Sequence, residues 1–160
     1  MISILFVCMG NICRSPSGEA VMNALIKKYN LENQIKCDSA GTIAYHAGEP
    51  ADARMQKHAA KRGYNLTSIA RQIKYSDFEK FDYIIAMDKS NYSDLLHLDS
   101  EEKYGNKIFM MMQFANTFTE EEVPDPYYGG EQGFEYVLDL LEDACSGLLK
   151  FVVKKNNLRI

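Results

Sequence analysis

The chain has 160 residues, 46% of them hydrophobic and 25% charged, and a formal net charge of -4. That length holds one domain with a substantial core, and the profile is that of a soluble globular protein. An acidic balance gives no support to nucleic-acid binding, and no apolar run reaches the roughly 18 residues of a membrane span, but a local site on such a chain can still be positive enough to take an anion. Residues 1–7 hold an apolar stretch, with no basic segment before it and no cleavage signature after it, so a cytoplasmic protein is expected. The four cysteines, at 8, 13, 37 and 145, form no CxxC pair and match no zinc spacing. Reduced thiols are expected, with no metal and no cofactor.

Residues 2–7 form a short apolar run, the pattern of a strand buried on both faces. A loop containing Gly10 follows. Ser15-Pro16 then opens a helix, with Ser15 suited to the N-cap and Pro16 to the first helical position, and Ala20, Val21, Ala24 and Leu25 continue it at helical spacing. A strand is expected over residues 34–40, ended by Gly41, and a helix over 51–62, stopped by Gly63. Residues 81–87 read as a third strand, followed by a helix through Leu95, Leu96 and Leu98. A fourth strand is expected over 107–114, where Met110, Met111 and Met112 read as core filler. The acidic run Glu120-Glu121-Glu122 reads as a solvated loop. In the last helix Phe134, Val137, Leu138, Leu141, Ala144, Cys145, Leu148, Leu149 and Val152 recur at steps of three and four, which makes Cys145 a buried core thiol. Strands thus alternate with helices along one domain, residues 1–160, and imply a four-stranded parallel sheet covered on both faces.

In such sheets ligands bind where strands end and helices begin. Cys8 ends the first strand and Ser15 starts the first helix, with Met9, Gly10, Asn11, Ile12, Cys13 and Arg14 between them. That arrangement suits an anion cradle. Loop N–H groups converge on one point and the helix N-terminus adds partial positive charge. Gly10 is expected to supply a backbone conformation closed to other residues. Arg14 can clamp two oxygens of a phosphate with its planar fork. The same field favours the nucleophilic thiolate at Cys8, and Ser15 can donate a hydrogen bond to that sulfur. No Walker A pattern is present, so the cradle is not built for nucleotides. A poor leaving group on phosphorus also needs a proton. Asp125, held between Pro124 and Pro126 on a loop after the fourth strand, is the candidate acid, and Tyr127 and Tyr128 can wall a pocket for an aromatic substrate.

With both elements in view, the chain resembles the low-molecular-weight protein tyrosine phosphatases. The resemblance rests on Val7-Cys8-Met9-Gly10-Asn11-Ile12-Cys13-Arg14-Ser15-Pro16 and Asp125-Pro126-Tyr127-Tyr128. Asp38-Ser39-Ala40-Gly41-Thr42, Ala70-Arg71-Gln72-Ile73 and Phe81-Asp82-Tyr83-Ile84-Ile85-Ala86-Met87-Asp88 follow the family order between them. The resemblance implies a four-stranded parallel sheet with helices on both faces and a phosphate-binding loop after the first strand. It implies a single phosphatase domain that hydrolyses protein phosphotyrosine through a phosphocysteine intermediate. Cys8 would be the nucleophile, Arg14 the clamp and Asp125 first the general acid and then the base, giving a bell-shaped pH profile with a mildly acidic optimum.

It further implies that Asn11 and Ser39 hydrogen-bond one another to support the loop, that Tyr45 joins Tyr127 and Tyr128 at the substrate rim, and that Cys13 traps oxidised Cys8 as a reversible disulfide. Tyr127 and Tyr128 can themselves be phosphorylated in the family. Where the family commonly has a His before the Ala-Arg-Gln segment, this chain has Ser68. His46, His58 and His97 read as surface or helix residues, and the stretch Gly48-Glu49-Pro50-Ala51-Asp52 resembles bacterial members. The expected partner is a phosphotyrosine-containing protein, with inorganic phosphate or similar oxyanions as competitive ligands, and with neither nucleic acid nor membrane. A monomer is expected.

Competing readings remain. Arsenate reductase shares the Cys-x5-Arg loop but needs further cysteines, and residues 76–116 contain none. In protein-arginine phosphatase a Thr stands at the place of Ile12. A phosphocysteine carrier or a phosphotyrosine-binding module would not need Cys8, Arg14 and Asp125 together.

Overall fold

Side chains along a strand alternate between faces, and the first strand uses both. β1 spans Ile2–Cys8. Ile4, Phe6 and Cys8 enter one buried cluster, and Leu5 and Val7 enter another. The computed structural model describes residues 1–128 and 130–159 and, at Tyr128, the backbone only.

β2 (Ile35–Gly41), β3 (Tyr83–Ala86) and β4 (Ile108–Met110) complete a four-stranded parallel sheet in the order β2-β1-β3-β4. Ile2 pairs with Ile35 and Cys8 with Gly41 at the two ends of the β1–β2 register. β1 lies inside the sheet where the strand order reverses. Its C-terminal end therefore opens into the crevice that such sheets use for ligands.

The helices are α1 (Arg14–Lys28), α2 (Ala53–Lys61), α3 (Asp77–Lys80), α4 (Lys89–Leu98) and α5 (Glu131–Lys155). Val21, Met22 and Ile26 of α1 join Val137, Leu141, Ala144, Cys145, Leu148 and Val152 of α5 on the Phe6 face of the sheet. Phe78 and Leu95, from α3 and α4, pack on the Val7 face. A third cluster joins Ile12 and Cys13 to Met55 and Ala59 of α2 and Phe134 and Leu138 of α5, so the loop after β1 rests on its own apolar floor. The expected stripe of the last helix is fully buried, Cys145 included.

Three local expectations change. The N-cap of α1 is Cys13, not Ser15, and it makes no side-chain cap bond; the Ser15 hydroxyl is turned instead toward Cys8. The fourth strand stops after three residues; residues 111–114 coil into a 3-10 turn, and Gln113 Oε1 accepts from the Met110 N–H at 2.9 Å. Of the three methionines there, Met111 and Met112 are buried and Met110 only partly so. The acidic run is solvated but engaged: Glu121 pairs with Lys89 Nζ at 2.8 Å, and Glu122 accepts from the Lys89 amide at 2.8 Å at the start of α4. No described helix is long and apolar enough to cross a membrane.

The 3-10 turn also sets a steric limit on α5. A Cβ on Gly147 would lie 1.8 Å from the Phe114 carbonyl oxygen. Gly147→Ala is therefore expected to destabilise the chain by about 2 kcal/mol, a fall of about 5 °C in the thermal midpoint, although Ala is otherwise the better helix former. An unchanged or higher midpoint would contradict the contact.

Candidate active site

The loop between β1 and α1 is held from outside by backbone bonds. Thr42 N–H donates to the Cys8 carbonyl at 2.9 Å, Ile43 N–H to Met9 at 3.1 Å and Asp52 N–H to Ile12 at 2.8 Å. The left-handed residue is Asn11, at φ 58, and not Gly10, whose φ is not positive. Asn tolerates that region better than most residues. Gly10 is small for a different reason: a Cβ there would meet His46 Cδ2 at 3.0 Å. Gly41 lets β2 approach still closer, since its Cβ would lie 2.7 Å from the Met9 carbonyl oxygen.

Cys8 is 2% exposed, at the bottom of this loop. Its Sγ accepts from the Asn11 N–H at 3.3 Å and lies 3.0 Å from Ser15 Oγ. Asn11 Nδ2 donates to Ser15 Oγ at 2.8 Å, which leaves the Ser15 hydrogen free to point at the sulfur. Asn11 Oδ1 accepts from the Arg71 N–H at 3.0 Å, which fixes the direction of the amide. Arg71 is itself held by Asp77 at 3.0 Å and Asp38 at 3.2 Å. The implied bond between Asn11 and Ser39 is not what forms. Ser39 Oγ donates to Glu19 Oε1 at 2.7 Å, and the polar atoms of Asn11 are taken by Ser15 and Arg71. The Ser68 hydroxyl is buried with no hydrogen-bond partner among the described residues.

Arg14 opens α1 and is 3% exposed. A buried guanidinium needs anionic and carbonyl partners. Asp88 Oδ2 accepts from Nη1 at 2.6 Å, the Val123 carbonyl accepts from Nη1 at 3.1 Å, and Asp125 Oδ2 lies 3.7 Å from Nη2. Burial works against the Arg14 charge, but the negative charge of Cys8, Asp88 and Asp125 outweighs it and raises its basicity. The sequence reading gave Asp88 no role. Its other oxygen caps α4 by accepting from the Asn91 N–H at 2.7 Å. The available signal was the position itself, an acid just past a central strand, facing a loop whose Arg must be neutralised.

Above the loop is a cavity of about 290 Å³, small for an organic ligand site and scaled to one ring and one tetrahedral anion. Cys8, Met9, Gly10, Ile12, Cys13, Arg14, Tyr45, Asp125 and Tyr127 line it, together with Ile43 and His46. Asn11 and Ser15 lie beneath it, fully buried. The side chain of Tyr128, also expected at the rim, is outside the described residues. Asp125 Oδ1 accepts from the Tyr127 N–H at 3.0 Å and so starts a 3-10 turn over residues 126–128.

Of the histidines, His97 is in α4 and exposed. His58 is in α2 but buried against Glu135. His46 is not a plain surface residue. Its side chain is 18% exposed, bonds Glu49 through Nδ1 at 2.7 Å, and meets the Tyr45 ring edge-on. Among the described residues no group of His, Cys, Asp and Glu is placed to hold a metal ion.

Cys8 at the base of a strand-loop-helix turn, Arg14 beside it and Asp125 at the mouth of the cavity make up the candidate site. Comparisons with known proteins give the family. The sequence pattern of the low molecular weight phosphotyrosine protein phosphatase family matches residues 3–158. A protein tyrosine phosphatase from Entamoeba histolytica, solved with Hepes in its active site, is 51% identical and superposes with a TM-score of 0.95 over 98% of this chain and 99% of that one. A low molecular weight protein-tyrosine-phosphatase of Bacillus subtilis is 40% identical over 159 residues, 99% of this chain and all of the other. A Drosophila arginine phosphatase is 33% identical, with a TM-score of 0.87 over 93% of this chain and 96% of its own. The chain belongs to the low molecular weight phosphotyrosine protein phosphatase family and, with it, to the protein-tyrosine phosphatases as an enzyme class.

Burial raises the thiols of Cys13, Cys37 and Cys145 above the ordinary value of 9.0, helped at Cys13 by the charges of Asp52, Cys8 and Asp125. A raised acid holds its proton longer when folded, so the stability it contributes is whole below pH 9 and is lost above it. Between pH 8 and pH 10, unfolding in urea should show about 1 kcal/mol lost for each such thiol. Cys145→Ala should remove one share of that slope. A slope unchanged by Cys145→Ala would contradict the assignment.

Proposed function

We propose that the chain hydrolyses protein phosphotyrosine in two steps through a phosphocysteine, with residues 1–160 as its one catalytic domain, acting as a monomer in the cytoplasm. The observation that carries this reading is that Cys8 Sγ, the Arg14 fork and the Asp125 carboxylate converge on one cavity of ring-and-phosphate size.

In the first step the Cys8 thiolate attacks phosphorus in line. The loop N–H groups and Arg14 take the equatorial oxygens, where charge builds in the transition state. Asp125, protonated, gives its proton to the phenolic oxygen as the P–O bond breaks, and tyrosine leaves. In the second step the Asp125 carboxylate takes a proton from water as the water oxygen attacks phosphorus. The Cys8–phosphorus bond breaks, with Ser15 donating to the departing sulfur, and inorganic phosphate is released. Asp88 holds Arg14 from the side away from substrate. Tyr45 and Tyr127 flank the ring, with Ile43 and His46 completing the wall. Inorganic phosphate and related oxyanions should compete for the cradle. The Hepes in the Entamoeba relative's active site carries such a group, a sulfonate.

The same loop supports a redox role. Peroxide converts the Cys8 thiolate to a sulfenic acid. The Cys13 thiol then attacks that sulfur, forming the disulfide and releasing water, and an external thiol restores both. The arginine-phosphatase reading is not favoured: Ile12 fills the cavity wall and Tyr127 offers a ring. A carrier or binding module would leave Asp125 without a task.

The test is steady-state release of phosphate from a phosphotyrosine peptide beside phosphoserine peptide and phosphoarginine. Phosphotyrosine should be turned over many times with a bell-shaped pH profile, and Cys8→Ser should abolish turnover. Asp125→Asn should lower kcat/KM by about 100-fold or more. Preference for phosphoarginine would overturn the substrate assignment and keep the nucleophile. Separately, peroxide inactivation should be reversed by dithiothreitol in the parent and not in Cys13→Ser; equal recovery would remove the redox role.

A further inference from the structure

Arg54 stands outside the residues assigned to the reaction, yet its side chain bonds the acid loop directly and is linked to the phosphate loop through Asp52. It lies in the first turn of α2, just past the Asp52 cap. Its Nε and Nη2 donate to the two oxygens of Asp52 at 3.3 and 3.1 Å. Asp52 in turn donates its backbone N–H to the Ile12 carbonyl of the phosphate loop at 2.8 Å. On its other side Arg54 Nη2 donates to the Tyr127 carbonyl at 3.4 Å, in the turn that Asp125 begins. Its Cζ lies 5.4 Å from the centre of the Tyr127 ring and 4.9 Å from that of Phe134, a ring of α5 that is 1% exposed.

The ion pair alone explains little, because Arg54 is half exposed and such pairs are weak. Geometry is the stronger point. A planar guanidinium can bond a carboxylate along one edge while its face lies on aromatic rings, and an ammonium cannot do both. The arrangement spans from the anchored phosphate loop to the loop that carries the carboxylate. A proton donor must sit within hydrogen-bond reach of the leaving oxygen, and a misplacement of about 1 Å can lower the rate by about 100-fold.

We infer that Arg54 is a positioning residue for the acid loop: a strut from α2 and the phosphate loop that holds Asp125 at the height of the leaving-group oxygen. It touches neither the phosphorus nor the proton in transit. The inference rests on Asp125 being the proton donor, and the experiment separates the two ideas.

The readout is kcat/KM across aryl phosphates, from dinitrophenyl phosphate, whose leaving group needs no proton, to phenyl phosphate, whose leaving group does. Arg54→Met should lower kcat/KM for phenyl phosphate about tenfold and for dinitrophenyl phosphate less than about twofold. Arg54→Lys keeps the charge without the plane and should show most of the same selective loss, and it carries the test if Arg54→Met does not fold. Asp125→Asn should give a larger loss with the same leaving-group dependence. Adding Arg54→Met to Asp125→Asn should then change little, because both act through one proton. Equal losses for both leaving groups in the Arg54 variants, or full additivity with Asp125→Asn, would overturn the strut. A leaving-group-independent loss in Asp125→Asn would overturn the proton-donor reading itself.

Discussion

A guanidinium buried to 3% exposure, as at Arg14, is tolerable only if anions and carbonyls surround it, and that requirement organises the site. Asp88 and the Val123 carbonyl meet it from the protein side. The first comes from the end of β3 and the second from the segment leading to Asp125. The Val123 N–H is bonded in turn to the Met87 carbonyl at 2.8 Å, so the end of the third strand and the approach to the acid loop are tied to each other as well as to Arg14. With one nitrogen committed, the other faces Asp125 and the cavity. The fork is thus held in place by protein contacts alone, with one nitrogen toward the cavity.

Cys8 sits on a second chain of polar contacts, directed from below. Arg71 fixes the Asn11 amide, Asn11 occupies a lone pair of Ser15, and the Ser15 hydrogen is left for Cys8. The chain begins at the Asp38 and Asp77 carboxylates that hold Arg71. It explains why Asn, and not Gly, takes the left-handed position of the loop. The side chain there has work that glycine could not do. Glycine is reserved for close approaches: Gly10 under His46, and Gly41 against the Met9 carbonyl.

The strands and helices were legible because their signals are local. Residues 2–7 and 81–87 are apolar but for Ser3 and Asp82, and the α5 stripe holds one period from Phe134 to Val152. The loop and Asp125 were legible because their chemistry and their places after strands agree. Signals failed where one group competes with another for the same atom. Ser15 looks like a cap until the sulfur and Asn11 claim its hydroxyl. Residues 111–114 look like strand until Gln113 accepts from the Met110 N–H and α5 presses on Phe114. Ser39 is given to Glu19 by the approach of α1 to β2, a pairing no spacing reveals.

Local signals in the chain suffice for the alternation of strand and helix, for the loop that carries Cys8 and Arg14 after the first strand, and for a carboxylate on a loop far along the chain. Each of these is written in neighbouring residues or in a short period. Packing of distant segments sets the rest: Asp88 neutralises Arg14, His46 and Ile43 wall the cavity, and Arg54 bonds both Asp52 and the Tyr127 carbonyl. Those pairings span 74 residues for Arg14 and Asp88 and 73 for Arg54 and Tyr127. Over such separations it is the packing of the sheet and its helices, not any local preference, that brings one side chain to another.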